Sequence, residues 1–147
     1  NRSVDAGFFE PASIGDRTWI DLNGNGVQDA TETNLTDVNV TLWYESNDTQ
    51  VKKDINGTTF GTAGTITTNA TGYLFNNLRP DNYYVKFVAP NGYVISLQDR
   101  GAEHNDSDAN GTFTTTGQTV GYELSTGEDN RSVDAGFFEP ASIGDRT

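Results

Sequence analysis

The segment Asn69–Phe87 reads N-A-T-G-Y-L-F-N-N-L-R-P-D-N-Y-Y-V-K-F and carries the clearest signal of how this chain folds. Within it, Tyr83, Val85 and Phe87 take every second position. This spacing is typical of a strand with one buried face. The same period of two recurs at Val38–Leu42 and along most of the chain, with Gly, Asn, Asp and Thr between the runs. The sequence therefore predicts an all-β domain.

The pattern predicts seven or eight strands in an antiparallel, Greek-key β-sandwich. Two long polar spans, Glu45–Gly57 and Gln98–Gly111, are interpreted as loops, and no segment shows the period of a helix. Besides Val38–Leu42 and the strands within Asn69–Phe87, the strand candidates are Ile14–Ile20, Thr62–Thr68, Phe113–Thr115, Val120–Leu124 and Val133–Phe138.

Composition places the chain among folded, acidic proteins. Hydrophobic residues make up 33% of its 147 residues, which is enough to bury one core. A net charge of −12 would repel nucleic acid and an anionic membrane, so neither is an expected partner, whereas cations are. Cysteine is absent, so disulfides and thiolate metal sites are excluded.

The first 18 residues, Asn1–Thr18, recur letter for letter as Asn130–Thr147. The copies begin at residues 1 and 130, so the period is 129 residues, the size of one domain. A domain repeated without drift is more naturally a building block of a long assembly than a separate catalyst.

This repetition predicts the domain organisation. Residues 1–12 are the final strand of a preceding repeat, 13–141 are one complete module, and 142–147 are the first strand of the next. The partners are then neighbouring copies of the same repeat, in a continuous chain or through exchange of a strand such as Val4–Phe9. The connection Glu139–Ser142 is short and contains a proline, so successive repeats should meet at a restricted angle.

The segment from Asp21 to Glu32 fits the calcium-loop pattern D-x-[DN]-x-[DN]-G-x5-E at every specified position. Alternate residues of such a loop point inward and Gly26 permits the sharp turn, so calcium is the predicted ion. The expected ligands are Asp21, Asn23, Asn25, the carbonyl of Val27, Asp29 and Glu32. The alternative is a plain Asn-Gly turn, which would not need the three carboxylates. Strands are expected on both sides, so the loop is interpreted as a structural clamp rather than a helix-flanked sensor.

The chain resembles the SD-repeat B domains (SdrD B-like) of bacterial surface adhesins, which are related to the B-type repeats of collagen adhesins. The resemblance covers about Ser13 to Pro140. It is carried by S-I-G-D-R-T-W-I-D-L-N-G-N-G-V-Q-D-A-T-E, V-N-V-T-L, the segment Asn69–Phe87, P-N-G-Y, D-S-D and V-D-A-G-F-F, in that order. It implies an extracellular, calcium-bound, immunoglobulin-like or prealbumin-like sandwich, strung in series as a stalk at the cell surface.

The resemblance also implies further calcium sites, for which the matching carboxylates are Asp106, Asp108, Asp134 and Asp16. The alternative for the D-S-D at residues 106–108 is a solvated acidic loop. Two features depart from the family. Thr33-Asn34 stands where Pro-Gly commonly follows the loop glutamate, and no Lys-to-Asn or Lys-to-Asp isopeptide bond is expected from Lys52, Lys53 or Lys86.

Sequons for N-linked glycosylation are unusually dense, and N-linked glycans are expected on several of them. Asn39 lies on the strand face opposite Val38, Val40 and Leu42, where a glycan would project into solvent. The alternative is an Asn- and Thr-rich surface whose sequons are never used. The nine sites are Asn1, Asn34, Asn39, Asn47, Asn56, Asn69, Asn105, Asn110 and Asn130.

Catalysis finds little support in the sequence. The single histidine, His104, lies in an acidic polar span and has no nucleophile pattern near it. Trp19, Trp43 and the tyrosines suit core or cross-strand pairs better than a carbohydrate-binding platform. The sequence favours a calcium-stabilised, glycosylated structural repeat of a surface stalk or secreted filament. The alternative is an adhesin module that binds a matrix protein or polysaccharide.

Overall fold

A computed structural model describes residues 2–28, 32–96, 98, 107–111 and 113–144. In these ranges the chain forms strands, turns and extended segments, and no helix occurs. None of the described segments is therefore a helix that could cross a membrane. The strands are β1 (Ala12–Asp16), β2 (Thr18–Ile20), β3 (Asn39–Tyr44), β4 (Thr49–Val51), β5 (Thr65–Thr67), β6 (Tyr73–Leu78), β7 (Asp81–Val88), β8 (Val94–Ile95), β9 (Thr116–Gln118), β10 (Tyr122–Leu124), β11 (Asp129–Asn130) and β12 (Ala135–Phe138).

The strands form three sheets. The largest has the order β10-β7-β3-β4, with β5 also paired to β3 and β9 to β7. The other two are three-stranded, with orders β11-β1-β6 and β2-β12-β8. Most pairs are antiparallel, but β1 with β11 and β12 with β2 are parallel. Parallel neighbours require a long connection, so these two pairs bring together residues that are distant in sequence.

One hydrophobic core draws its side chains from all three sheets. Val85 and Phe87 of β7 are fully buried, as their alternation predicts. The ring of Tyr73 makes edge contacts with Phe75 and Phe87, at centroid distances of 5.9 and 5.6 Å, and so joins two sheets. Gly136 of β12 lies against the ring of Trp19, where an added Cβ would come within 2.6 Å of a ring carbon. A side chain at position 136 would therefore push β12 away from β2.

The all-β prediction is confirmed, although the strands are shorter and more numerous than expected. The predicted strand Ile14–Ile20 is divided at Arg17, because β1 pairs with β6 while β2 pairs with β12. The prediction at Phe113–Thr115 was wrong by a few residues, since that segment is a turn and β9 follows it. The span Glu45–Gly57 was predicted to be a loop but contains β4.

The two copies of the repeated sequence occupy opposite environments. In the second copy, Val133 and Phe137 are fully buried at β12. In the first copy, Val4 and Phe8 are 81% and 93% exposed. The relation is reversed further along, because Ile14 is buried in β1 whereas its counterpart Ile143 is fully exposed. Each stretch of repeated sequence is thus folded into this module once and left on its surface once.

We expect Phe137→Ala to lower the free energy of unfolding by about 3–5 kcal/mol, because it empties a fully buried position. Phe8→Ala removes the same side chain from the same local sequence but from solvent, so it should change stability by less than about 0.5 kcal/mol. Urea unfolding followed by tryptophan fluorescence measures both. Equal effects of the two substitutions would show that residues 4–9 are also part of the module's core.

Candidate metal centre

The predicted calcium loop begins directly after β2 and is wrapped around the carboxylate of Asp21. This side chain is fully buried. Its Oδ2 accepts a hydrogen bond of 2.7 Å from the N–H of Gly26, and its Oδ1 accepts one of 3.3 Å from the N–H of Asn25. The hydroxyl of Ser96 also donates to Oδ2. Asp21 therefore organises the turn through its own carboxylate.

Glu32 closes the other end of the loop. Its Oε2 accepts a 2.6 Å hydrogen bond from the N–H of Leu22, the residue next to Asp21, and its side chain is largely buried. Asn25 Oδ1 accepts a 2.9 Å bond from the N–H of Val27, and Asn23 is exposed. The Glu32 carboxylate thus binds the backbone of the residue next to Asp21. Asp29 lies outside the described residues.

A second group of acids lies beside the start of β12. The N–H of Asp134 donates a 3.0 Å hydrogen bond to Asp108 Oδ2, and the N–H of Asp108 donates a 2.9 Å bond to the carbonyl of Asp134. The carboxyl group of Asp134 also interacts electrostatically with those of Asp108 and Asp16. The structure therefore brings together three of the four acids that the family resemblance implied. The fourth, Asp106, lies outside the described residues.

The second group is electrostatically unfavourable as a set of bare carboxylates. Both carboxylate oxygens of Asp134 are buried and accept no hydrogen bond. Burial, together with the carboxyl groups of Asp108 and Asp16, raises the pKa of Asp134 to about 10. Burial also raises the pKa of Asp16, against the opposing effect of Arg17. Such a group needs a proton or a cation to offset its charge.

The residues fit calcium in chemistry, since carboxylate and carbonyl oxygens are its preferred ligands. Asp21 and Glu32 would hold an ion in the loop, and Asp16, Asp108 and Asp134 would hold one beside β12. Within the described ranges, no three acidic or histidine side chains already stand as close together as a metal ion requires. The orphaned carboxylate of Asp134 is the observation that most favours an ion at the second position.

Ser96 and Tyr73 were not identified from the sequence as parts of these sites. Ser96 is 75 residues from Asp21 and reaches it because the N–H of Ser96 bonds to the carbonyl of Gly136. Tyr73 is buried beside the second group of acids, where its hydroxyl donates to the carbonyl of Val133. Burial raises the pKa of Tyr73 well above its ordinary value, and the nearby acids add to this effect. No local pattern marks either residue, because both contacts arise from strand pairing.

The predicted glycosylation sites differ in exposure. Asn34 is half-buried and its Nδ2 donates a 2.7 Å hydrogen bond to the carbonyl of Ala70, and Asn130 is also half-buried. Asn1 and Asn105 lie outside the described residues. The exposed sites are Asn39, Asn47, Asn56, Asn69 and Asn110.

One face of the large sheet carries an aromatic pair in which Trp43 is half-buried and Tyr84 is buried. Trp43 of β3 and Tyr84 of β7 are stacked, with centroids 6.2 Å apart and an interplanar angle of 7°. The Nζ of Lys86 lies 4.1 Å from the centroid of Trp43, at cation–π distance. Lys52 and Lys53 are exposed, and His104 lies outside the described residues.

Comparisons with known proteins support the architecture and the family resemblance. A family model described as the SdrD B-like domain matches residues 12–137. The crystal structure of GBS52, a minor pilin of Streptococcus agalactiae, superimposes with a TM-score of 0.59 and 11% sequence identity, covering 95% of this chain and 49% of that one. At this level of identity the likeness concerns the fold, and it confirms the β-sandwich.

Several staphylococcal proteins are similar in sequence. Serine-aspartate repeat-containing protein F of Staphylococcus epidermidis is 36% identical over 149 residues, which cover 99% of this chain and 7% of that protein. Serine-aspartate repeat-containing protein E of Staphylococcus aureus (strain MSSA476) is 39% identical over 97% of this chain and 11% of its own length. The same values hold for the Bone sialoprotein-binding protein of S. aureus (strain MRSA252). The chain spans about a tenth or less of these relatives.

We expect the ion-free protein to lose stability as the pH rises above about 4, the pKa of an aspartate in an unfolded chain. Because the pKa of Asp134 is raised on folding, the folded state holds a proton that the unfolded state has released, and this difference disfavours folding at higher pH. Asp134→Asn should therefore raise the free energy of unfolding in chelator at about pH 8 by roughly 1–3 kcal/mol.

Urea unfolding in chelator at about pH 5 and about pH 8 measures this effect. The matched control is Asp5→Asn, which alters the exposed copy of the same V-D-A-G-F-F sequence and should change neither value. A pH dependence that Asp134→Asn leaves unchanged would show that other groups cause it.

Proposed function

This chain belongs to the SdrD B-like domain family, and we propose that it is a structural repeat of an extracellular stalk or filament, stabilised by calcium and N-glycosylated. Its partners are neighbouring copies of the same module and the attached glycans. Its location is the cell surface or a secreted filament. It contacts neither nucleic acid nor membrane through this segment, in keeping with its net charge of −12.

The observation that carries this proposal is the opposite burial of the two identical end sequences. The module uses the second copy of V-D-A-G-F-F for β12 and the first copy of S-I-G-D for β1. The remaining copies, at residues 4–9 and 142–144, lie exposed on the surface. This is the arrangement expected when the chain enters from one module and leaves toward another.

A continuous chain is favoured over exchange of strands between subunits. The position beside β2 and β8 is already filled by the module's own β12. A strand donated by another subunit, such as Val4–Phe9, would have to displace an identical strand and would gain no new core contact. Tandem connection needs no such displacement.

Calcium is proposed because the module buries carboxylates whose negative charge Arg17 offsets only in part. Asp21 and Glu32 close one loop, and Asp16, Asp108 and Asp134 meet beside β12. Both groups adjoin the strand that completes the module. An ion at either position would hold β12 to the rest of the fold.

The leading alternative is an adhesin module that binds a polymer. Trp43, which is half-buried and lies beside Lys86, supports this alternative because a partly exposed aromatic ring suits flat, apolar or sugar ligands. One similar protein is named for binding bone sialoprotein. Saturable binding of a matrix protein or polysaccharide by the isolated chain, lost on Trp43→Ala, would favour this alternative over a purely structural repeat.

No enzyme activity is proposed, because the acids are buried beside one another rather than placed around an open cleft.

We expect calcium to raise the melting temperature of the chain, and Asp21→Asn to remove most of this increase. Calcium at about one hundred times its dissociation constant adds roughly 2.7 kcal/mol to the stability of a protein that binds it only when folded. Differential scanning calorimetry in calcium and in chelator measures the shift. Asp54→Asn alters an acid in a different turn and should keep the full shift.

This comparison uses the calcium-dependent part of the melting temperature, so any loss of hydrogen bonds at Asp21 in the ion-free protein cancels. The calcium proposal is wrong if chelator leaves the melting temperature of the unmodified chain unchanged.

We expect peptide mass spectrometry of the protein purified from its native cells to find N-linked glycans at exposed sequons, in particular Asn39, Asn47 and Asn69. Asn34 should carry none, because its side chain is half-buried and bonded to the carbonyl of Ala70. Unmodified peptides at every sequon would overturn the glycosylation proposal and leave the calcium proposal untouched.

A further inference from the structure

The residue before the first strand, Glu10, is held by a turn from the other end of the module. The N–H of Glu10 donates a 2.7 Å hydrogen bond to Thr126 Oγ1. The carbonyl of Glu10 accepts a 2.9 Å bond from the N–H of Gly127 and lies 3.3 Å from the Thr126 hydroxyl. Both backbone groups of Glu10 are therefore satisfied by the turn Ser125–Glu128, here called the docking turn.

These contacts extend the parallel pairing of β1 with β11. Ser13 pairs with Asp129 and Ile14 with Asn130, and the Ser13 hydroxyl donates a 2.7 Å hydrogen bond to Asp129 Oδ1. Glu10 and Thr126 are separated by the same 116 positions as Ser13 and Asp129. The segment from Glu10 to Ile14 therefore follows one register against the docking turn and β11, without a slip between them.

The shape of the docking turn also matches Glu10. Gly127 has a φ of +71°, a conformation that favours glycine. A Cβ added to Gly127 would lie 2.8 Å from Glu10 Oε2 and 3.3 Å from Glu10 Cβ. Glycine at this position thus lets the turn close over the side chain of Glu10.

The sequence repeat relates these contacts to the junction between two modules. Glu139 is the copy of Glu10, and it directly follows Phe138, which pairs with Val94 in β8. If the modules are in tandem, Glu139 of one module occupies the position in the next module that Glu10 occupies here. Phe138 then belongs to the last strand of one module, and the next residue, Glu139, is already hydrogen-bonded to the following module.

We propose that the docking turn of each repeat binds the connector glutamate of the preceding repeat, so that two modules meet in a fixed joint with no free residue between them. This inference rests on the proposed tandem arrangement and adds to it the contact that sets the angle between modules. The partner is a second copy of this chain's module. Rotation at the joint would break the bonds of Thr126 and Gly127 to the connector.

The test is a two-module protein, made of the full 147-residue chain followed by a second copy of residues 19–147. The chain has no cysteine, so Asn76→Cys in both modules provides the only two positions for spin labels. Asn76 is an exposed residue of β6. Pulsed electron spin resonance then gives the distribution of distances between the two modules.

We expect a narrow distribution in the unmodified joint. Thr126→Val in the second module removes the hydroxyl that binds the connector at the joint and should broaden the distribution about twofold, toward that of a flexible linker. Thr126→Ser keeps the hydroxyl and should keep the narrow distribution. The matched control is Thr126→Val in the first module, which faces Glu10 instead of the joint and should have no effect.

A Gly-Gly insertion between Phe138 and Glu139 frees the joint, so this variant shows how wide the distance distribution is when the modules move independently. The fixed joint is overturned if the unmodified protein already has a distribution as wide as that of the insertion variant. It is also overturned if the distribution stays narrow after Thr126→Val in the second module. If Thr126→Val lowers the melting temperature, Thr126→Ala, which also removes the hydroxyl, replaces it in the same comparison and should also broaden the distribution. A free joint in a protein that calcium still stabilises would reject this inference alone, whereas loss of the calcium effect would reject the proposed function.

Discussion

The pairing of β12 with β2 and β8 is the interaction on which the other features of this module depend. β12 supplies Ala135 and Phe137 to the core. The carbonyl of Phe137 accepts the N–H of Asp21, and the carbonyl of Gly136 accepts the N–H of Ser96. Both parts of the candidate calcium site are therefore assembled only when β12 pairs with β2 and β8. Because this closure joins residues that are distant in sequence, it raises the contact order of the module, which slows folding.

Local pattern was enough to predict the central strands but not their partners. β3 and β7 show clear alternation because one face of each is buried against the core. β4 escaped prediction because its residues Thr49–Val51 lie in a polar span and have only one buried side chain. The break at Arg17 was equally hidden, since it reflects a change of partner strand. The strand number was therefore underestimated although the fold class was correct.

The candidate site was predictable to different degrees at its two parts. The spacing of the calcium loop is a local pattern, so Asp21 and Glu32 were identified together, and the bond from Leu22 to Glu32 joins the two ends. The second group depends on residues from three distant segments, and only the family resemblance related Asp16, Asp108 and Asp134. The structure adds a physical reason for the grouping, because Asp134 is buried with both oxygens unpaired. Ser96 could not be found from the sequence at all, since its contact with Asp21 exists only through the pairing of β8 with β12.

The burial of acids beside β12 has a mechanical consequence for a tandem array. Tension on such a chain acts through β12, which leads to the exit at Glu139, and through β1, which leads from the entry at Glu10. β1 is held on both sides, by β6 and β11, and β12 is held by β2 and β8. Force applied along the array therefore loads hydrogen bonds that link the terminal strands to interior ones, and the two acidic groups adjoin the β12 side of this load path. A cation at either group would oppose separation of β12 from its neighbours, because pulling the strand away would expose carboxylates that the ion holds together. In a structural repeat, the same contacts would thus neutralise the buried acids and carry force along the array.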